Sequence, residues 1–335
     1  MNDLSDGPPN VSFLLYESRS GSTMLASLLD RFSGINVIPE NNMVSRILLF
    51  PEPITSIKIA KKVFDCIYAE PQFQELGVPR SALMNALLSV DGEIAKPDLA
   101  ALCIREVLRS MGLSPSKHTL IKSACYESMD VISQHWPSTR YLHIVRDGRA
   151  VFNSLRKNRS LFRREVMNSN VVAAASSWQR KVFLTTGRSD TLTLRYEDIL
   201  KNQQPCIASV LDFLEVPMEG RQAIETCEGY AQRIGASQRD LHINVGTDVK
   251  PDRSNAWEHE IEPSVRYAYQ ELARQGLQQW GYAMEPNFCW IDRFTGRIII
   301  ARDSARLPFR YARILLSSMR RPGDLRLRIK RRLQR

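Results

Sequence analysis

The apolar positions of this chain fall into two periodicities. Val11 to Tyr16, His118 to Ile121, Tyr141 to Val145 and Thr191 to Leu194 are short runs dense in β-branched, leucine and aromatic residues, and each ends in turn-forming residues. Runs of that length and composition predict strands. Between them, apolar residues recur at helical spacing over Met24 to Phe32, Ala150 to Arg156, Val166 to Thr186, Pro205 to Leu214 and Pro263 to Gln275. Alternating strands and helices predict an α/β fold of three layers, a central parallel sheet covered on both faces. From Met43 to Met111 the pattern stays helical, broken near Pro51, Pro53, Pro71 and Pro79. A simple crossover needs far fewer residues, so this helical insertion is expected to build one wall of a binding site.

The connection after the first strand carries the clearest chemistry. Arg19-Ser20-Gly21-Ser22-Thr23 lies where the strand hands over to a helix. A strand delivering a Gly/Ser/Thr turn into a helix N-terminus aims backbone N–H groups, hydroxyls and the positive end of the helix dipole at one spot. Such a spot suits a phosphate, which makes the fold P-loop-containing. The nucleoside-triphosphate form of the device is G-x-x-x-x-G-K-[ST], and its Gly-Lys pair is missing here, with Arg19 standing four residues before Thr23 instead. A second basic turn follows the strand that closes at Val145, as Arg146-Asp147-Gly148-Arg149, and Ser154 stands eight residues beyond Arg146 on the next helix. If the Asp-Gly turn folds the chain back, Arg146 and Ser154 converge on another phosphate. Two phosphate cradles in one domain imply a nucleotide phosphorylated at two places.

With these residues the chain resembles the sulfotransferases that use 3'-phosphoadenosine 5'-phosphosulfate (PAPS), over roughly Val11 to Trp257. The resemblance implies that Arg19, Ser20, Gly21, Ser22 and Thr23 form the 5'-phosphosulfate loop, that Arg146 and Ser154 hold the 3'-phosphate, and that Tyr196, in Leu194-Arg195-Tyr196-Glu197-Asp198-Ile199, lies near the adenine. The family's closing loop is matched loosely by Lys250 to Trp257, without the usual glycines, and there Lys250, Arg253 or Asn255 is the expected contact, with Arg253 as the candidate. Phenol and steroid sulfotransferases carry a histidine base two residues after a lysine, whereas Lys122 is followed by Ser123 and Ala124. The chain is closer to the tyrosylprotein and bacterial glycan branches, in which a glutamate some twenty residues past the loop is the base. Glu40 stands at that place. The resemblance therefore implies sulfuryl transfer from PAPS to a hydroxyl or amine without a metal, with Glu40 as base and Lys122 and Arg19 as cations for the developing charge.

Each assignment has a plainer alternative. Glu40 would instead cap a helix starting near Asn42. Lys122 would be a solvated strand-end lysine, Arg19 would pair with Glu17, Arg146 would belong to a structural Arg-Asp turn beside a surface Ser154, and Tyr196 would be a core aromatic. Trp178 reads as core, and His143, inside a strand, as buried and hydrogen-bonded. At the level of the whole protein, a P-loop kinase or other phosphotransferase would use the same strand-loop-helix start but lacks the loop lysine. A non-catalytic nucleotide-binding or membrane adaptor would keep the loops without turnover.

Size and charge add organisation. A chain of 335 residues allows one large domain with additions, read as 1–289 followed by a basic C-terminal tail, 290–335. The tail holds fourteen Lys/Arg and three Asp/Glu, against 32 and 33 in the remainder, so the net charge of +10 is concentrated there. It is expected either to lie on anionic lipid or engage an acidic polymer, or to be a solvated arm. The first residues lack the basic start and apolar run of a signal peptide, and no apolar run approaches a membrane span, which leads to the expectation of a soluble cytoplasmic protein, peripheral to the membrane at most. Six cysteines without paired spacing point to reduced thiols and no metal site. Nothing in the sequence indicates a nucleic-acid partner; the expected partner is a glycan, lipid-linked or other small acceptor.

Overall fold

The computed structural model describes residues 10–89, 93–157, 170–223, 228–235 and 255–319. Among them, five strands pair in parallel: β1 (Val11–Tyr16), β2 (Ile35–Ile38), β3 (His118–Lys122), β4 (Arg140–Val145) and β5 (Thr191–Arg195), in the order β2-β3-β1-β4-β5. The four expected strands lie where the apolar runs placed them. β2 is an addition: its four residues sit between Gly34 and Pro39, a short run broken by the polar Asn36, yet all four are buried at the sheet's edge. The register sets Leu14 opposite Lys122, Tyr16 opposite Ile144 and Val145 opposite Arg195, which brings the strands' carboxyl ends to one rim. Ligands of open α/β sheets bind along that rim.

Both sheet faces are covered, as parallel sheets require. On β1, Val11, Phe13 and Leu15 join one apolar cluster, while Leu14 and Tyr16 join another. The first cluster includes the insertion, α2 (Met43–Leu48), α3 (Ile57–Tyr68), α4 (Pro71–Gln74), α5 (Arg80–Leu88) and α6 (Lys96–Ser110), followed by α7 (Met129–His135). Prolines mark its joints for the expected reason, with Pro71 at the start of α4 and Pro79 immediately before α5. The second cluster includes α1 (Ser22–Leu29), which begins two residues earlier than the periodicity predicts because the phosphate-type loop runs directly into it.

The remaining helices are α8 (Gly148–Lys157), α9 (Val171–Thr185), α10 (Tyr196–Lys201), α11 (Gln203–Phe213), α12 (Glu228–Arg233), α13 (Trp257–Glu260), α14 (Pro263–Leu272), α15 (Arg274–Gln279) and α16 (Trp290–Met319). The helix expected from Val166 begins at Val171, where Asn170 caps it by accepting from the Ala173 N–H at 2.8 Å; residues 166–169 lie outside the described residues. The segment expected to be one helix from Pro263 breaks at Ala273 into α14 and α15.

The basic C-terminal region starts as structure rather than as a solvated arm. α16 packs on α14 and α9. Gly296 lies so close to α14 that a Cβ there would approach the Ser264 carbonyl oxygen to 2.8 Å. Asp303, 2% exposed, accepts from the Val171 N–H at 2.9 Å, and the Asn170 side chain donates to its carbonyl oxygen at 2.9 Å. No described helix is long and apolar enough to cross a membrane. Residues 320–335 lie outside the described residues.

Candidate active site

Two polar clusters form where β1, β3, β4 and β5 end. Lys122, the last residue of β3, is the centre of the first. Its side chain is 2% exposed, yet its Nζ donates to Thr23 Oγ1 at 2.9 Å and lies 3.4 Å from Glu40 Oε2. It also stands 4.8 Å above the centre of the Tyr16 ring. The Tyr16 hydroxyl donates to the Glu40 carboxylate. The plain reading of Lys122 as a solvated lysine therefore fails, because the ammonium is buried among a hydroxyl, a carboxylate and an aromatic face. Burial lowers the Lys122 pKa; Glu40 opposes that shift and Arg19 adds to it. Burial also pushes the Tyr16 phenol well above its ordinary value, and the Glu40 charge pushes it further, which keeps it a neutral donor.

Glu40 does not act as the helix cap. The N-cap position of α2 is Asn42, whose backbone N–H donates to Glu70 Oε2 at 3.1 Å. Glu40 remains a quarter exposed at the rim. A carboxylate with one side held by Lys122 and Tyr16 and another open to solvent can accept a proton from an incoming group.

The second cluster centres on Arg19 and Arg146. The Arg19 Nε donates to Ser154 Oγ at 3.0 Å, bridging the first loop to α8, and Arg146 Nη1 donates to the Arg19 carbonyl oxygen at 3.2 Å. The Arg146 guanidinium lies 4.5 Å from the centre of the Tyr196 ring. Arg19 does not pair with Glu17, which is bound by Lys181 from α9. Its side chain turns towards Ser154, so in this structure it belongs with Arg146 rather than beside Lys122. Burial and the neighbouring Arg146 charge both lower the Arg19 pKa, the mark of cations gathered at one place.

The loop backbone is shaped accordingly. Arg19 has φ 75° and Gly21 φ 96°, left-handed conformations that turn the chain sharply before α1. A Cβ on Gly21 would overlap the Tyr196 ring, so the position admits glycine on both counts. The first-turn N–H groups of α1, at Ser22, Thr23 and Met24, have no intrahelical acceptor, as in any helix. Ser20 Oγ is buried without a partner in the described structure. A buried hydroxyl and a helix start in one loop, with Arg19 of that loop and Arg146 of the turn after β4 beside them, fit a polyanionic ligand such as PAPS, which would answer the unpaired hydroxyl and spread the clustered charge.

The Arg146 turn is held from several sides. The Trp178 indole N–H donates to the Arg146 carbonyl at 3.0 Å, so the tryptophan read as core also fixes the turn. The Asp147 N–H donates to Glu197 Oε1 at 3.1 Å, and Glu197 Oε2 accepts from the Tyr282 hydroxyl at 3.0 Å. Asp147 in turn binds the buried Arg149 through both carboxylate oxygens, at 2.7 and 3.0 Å, and Arg149 lies 4.0 Å over Trp257. The sequence showed these partners as isolated polar or aromatic residues; only the fold makes them neighbours. Tyr16, at the end of β1 next to the strand that carries Lys122, is a site residue that the sequence did not single out. His143 is buried as expected, its Nδ1 2.8 Å from Thr185 Oγ1. Arg253 lies outside the described residues. Among the described residues, no group of three His, Cys, Asp or Glu could hold a metal ion.

Comparison with known proteins gives a consistent result. A family model described as the sulfotransferase family matches residues 13–220. No curated protein matches the chain. Among solved structures, the sulfotransferase domain from the curacin biosynthetic pathway is similar over 83% of this chain and 99% of its own, at 18% identity and a TM-score of 0.50, which shows a shared fold. The sulfotransferase domain from the Synechococcus PCC 7002 olefin synthase is similar over 83% and 96%, at 18% identity and TM-score 0.46. Sulfotransferase STF9 from Mycobacterium avium is similar over 85% and 80%, at 11% identity and TM-score 0.46.

Proposed function

The chain belongs to the sulfotransferase family and is a PAPS-dependent enzyme, and from that premise we propose that Glu40 is the base, Lys122 the cation at the transferring group, and Arg19, Arg146 and Ser154 the 3'-phosphate site. The observation that carries this reading is the buried Lys122, which joins Thr23 of the loop to Glu40 at 2.9 and 3.4 Å. When bound, PAPS supplies an activated sulfuryl group and leaves as 3'-phosphoadenosine 5'-phosphate (PAP). The amides of the Ser20 to Thr23 loop hold the 5' end, and Tyr196, against Gly21 and Arg146, borders the adenosine. Glu40 takes the proton of the acceptor hydroxyl or amine as its oxygen or nitrogen bonds to sulfur. Lys122 stays charged beside Glu40 and offsets negative charge on the departing phosphate oxygen and the sulfuryl oxygens. Tyr16 acts through Glu40: its hydroxyl fixes the orientation of the carboxylate.

The acceptor class we infer is a carbohydrate, a lipid-linked group or a natural-product hydroxyl, supported by the glutamate-type site and by the insertion, α2 to α6, packed beside Glu40. The experiment is incubation of the purified protein with labelled PAPS and a panel of glycans, lipid-linked sugars, natural-product alcohols and tyrosyl peptides, with and without magnesium. Labelled product without magnesium, on one of the first three classes, is expected. Product on tyrosyl peptides alone would remove the acceptor proposal, and turnover only with ATP and magnesium would overturn the assignment of the site.

A further inference from the structure

α16 carries an apolar face that no described element covers. Trp290, Ile291, Phe294, Ile298 and Phe309 are all exposed, Trp290 at 74% and Phe309 at 80%. At about 100° per residue these five positions fall within one roughly 100° stripe on the side away from buried Gly296 and Asp303. Ala301 and Ala305 continue the stripe and are also exposed. Arginines border it on both edges, Arg293 and Arg297 on one, Arg302 and Arg306 on the other, all exposed. The stripe runs about 28 Å along the helix, from 19 steps of about 1.5 Å. Large aromatic and aliphatic side chains left in water along one line, rimmed by a single sign of charge, mark an interaction surface rather than scattered exposure.

We propose that this outward face of α16 docks on an anionic lipid surface, lying in the plane of the membrane interface. The occupant follows from charge and composition. Trp and Phe on the apolar face with arginine on its borders is the composition of interfacial helices. A second copy of this chain would set arginine rows against arginine rows, and a polyanion without an apolar layer would leave the Trp290 to Ile298 cluster in water. Residues 290–335 carry a net +11, adding attraction to acidic headgroups. The contact thus belongs to a helix fixed to the catalytic domain through α14 and α9, not to a separable tail.

The test is flotation of the full-length chain with vesicles of phosphatidylcholine alone and of phosphatidylcholine mixed with phosphatidylglycerol. The expected result is binding to the mixed vesicles, reduced by salt, and reduced on the order of tenfold or more by F294D/I298D. A second variant, R297E/R306E, at exposed positions on the two borders of the stripe, is expected to lose the preference for the mixed vesicles. Because these side chains are exposed, both variants are expected to keep the wild-type thermal unfolding profile. No binding to mixed vesicles, or equal binding by F294D/I298D, overturns the proposal. A dimer in sedimentation that F294D/I298D splits, without vesicle binding, would also overturn it and assign the face to a second copy.

Discussion

Glu40 and Lys122 are close enough to stabilise each other and different enough in exposure to have separate roles. Replacing Glu40 with glutamine keeps the size and the hydrogen bond from Tyr16 but removes the basic site, so turnover is expected to fall about a hundredfold or more while PAP affinity stays near wild type. Lys122→Met keeps the buried stem and removes the charge, and kcat is expected to fall by roughly a hundred- to a thousandfold; single-turnover measurements with saturating PAPS check both. Retained kcat in either variant would contradict the assigned role. Lys122 was legible because it closes a predicted strand beside a phosphate-binding loop, whereas Glu40 was legible only through the resemblance, from its place some twenty residues past that loop. The direction of the Arg19 side chain was not, since a left-handed φ at residue 19 and a hydroxyl 135 residues away decide it. Tyr16 was hidden for a related reason: an aromatic closing a buried strand has the same sequence signature whether or not its hydroxyl meets a carboxylate.

The loop before α1 and the strands β3 and β4 are where single elements make predictions. Gly21→Ala places a methyl group on the Tyr196 ring at a backbone angle that disfavours any side chain, so PAP binding is expected to weaken on the order of tenfold, from about 1.4 kcal/mol of strain. The double variant G21A/Y196A should recover part of that loss if the clash is the cause, and calorimetric titration with PAP measures it. His118 on β3 and His143 on β4 are kept neutral by burial, their pKa values pushed down to about 4 and about 3, with Arg140 and Lys181 respectively adding to the effect. Well above pH 6.5 both are neutral folded and unfolded, and their titration leaves stability unchanged. As pH falls below about 6.5 only the unfolded chain takes the protons, so stability falls, each histidine contributing up to about 1.4 kcal/mol per pH unit. Urea midpoints at pH 7.5, 6 and 5 should show this loss, and His143→Val should reduce the slope; an unchanged slope would show that His143 gains its proton inside the fold. Most elements could be read from periodicity, and the proline breaks of the insertion were visible. β2 escaped because its short run is broken by the polar Asn36, and the Ala273 break because no proline or glycine stands at it.

At the scale of the molecule, the two halves of the site come from distant parts of the chain that one parallel sheet brings to a common rim. The order β2-β3-β1-β4-β5 puts Lys122 and Arg146 on the strands flanking β1, so the loop after β1 lies between them. The sequence motifs required only that both basic turns reach one nucleotide; the strand order that achieves this is visible in the fold alone. The course of the C-terminal region was less legible: its charge left a lipid-bound amphipathic segment and a solvated arm both open, and neither reading showed that Gly296 and Asp303, small and polar in a basic stretch, seat α16 on the domain. The central claim is that the loop of Ser20 to Thr23 and the pair Arg146 and Ser154 grip opposite ends of one ligand. Calorimetric titration without magnesium tests it most directly, comparing PAP with adenosine 5'-phosphate on wild type and on Arg146→Ala. Wild type should bind PAP at least about thirtyfold tighter, worth about 2 kcal/mol for a charge-assisted contact, and Arg146→Ala should bring the two ligands close together. An Arg146→Ala variant that still prefers PAP by the wild-type margin would contradict it.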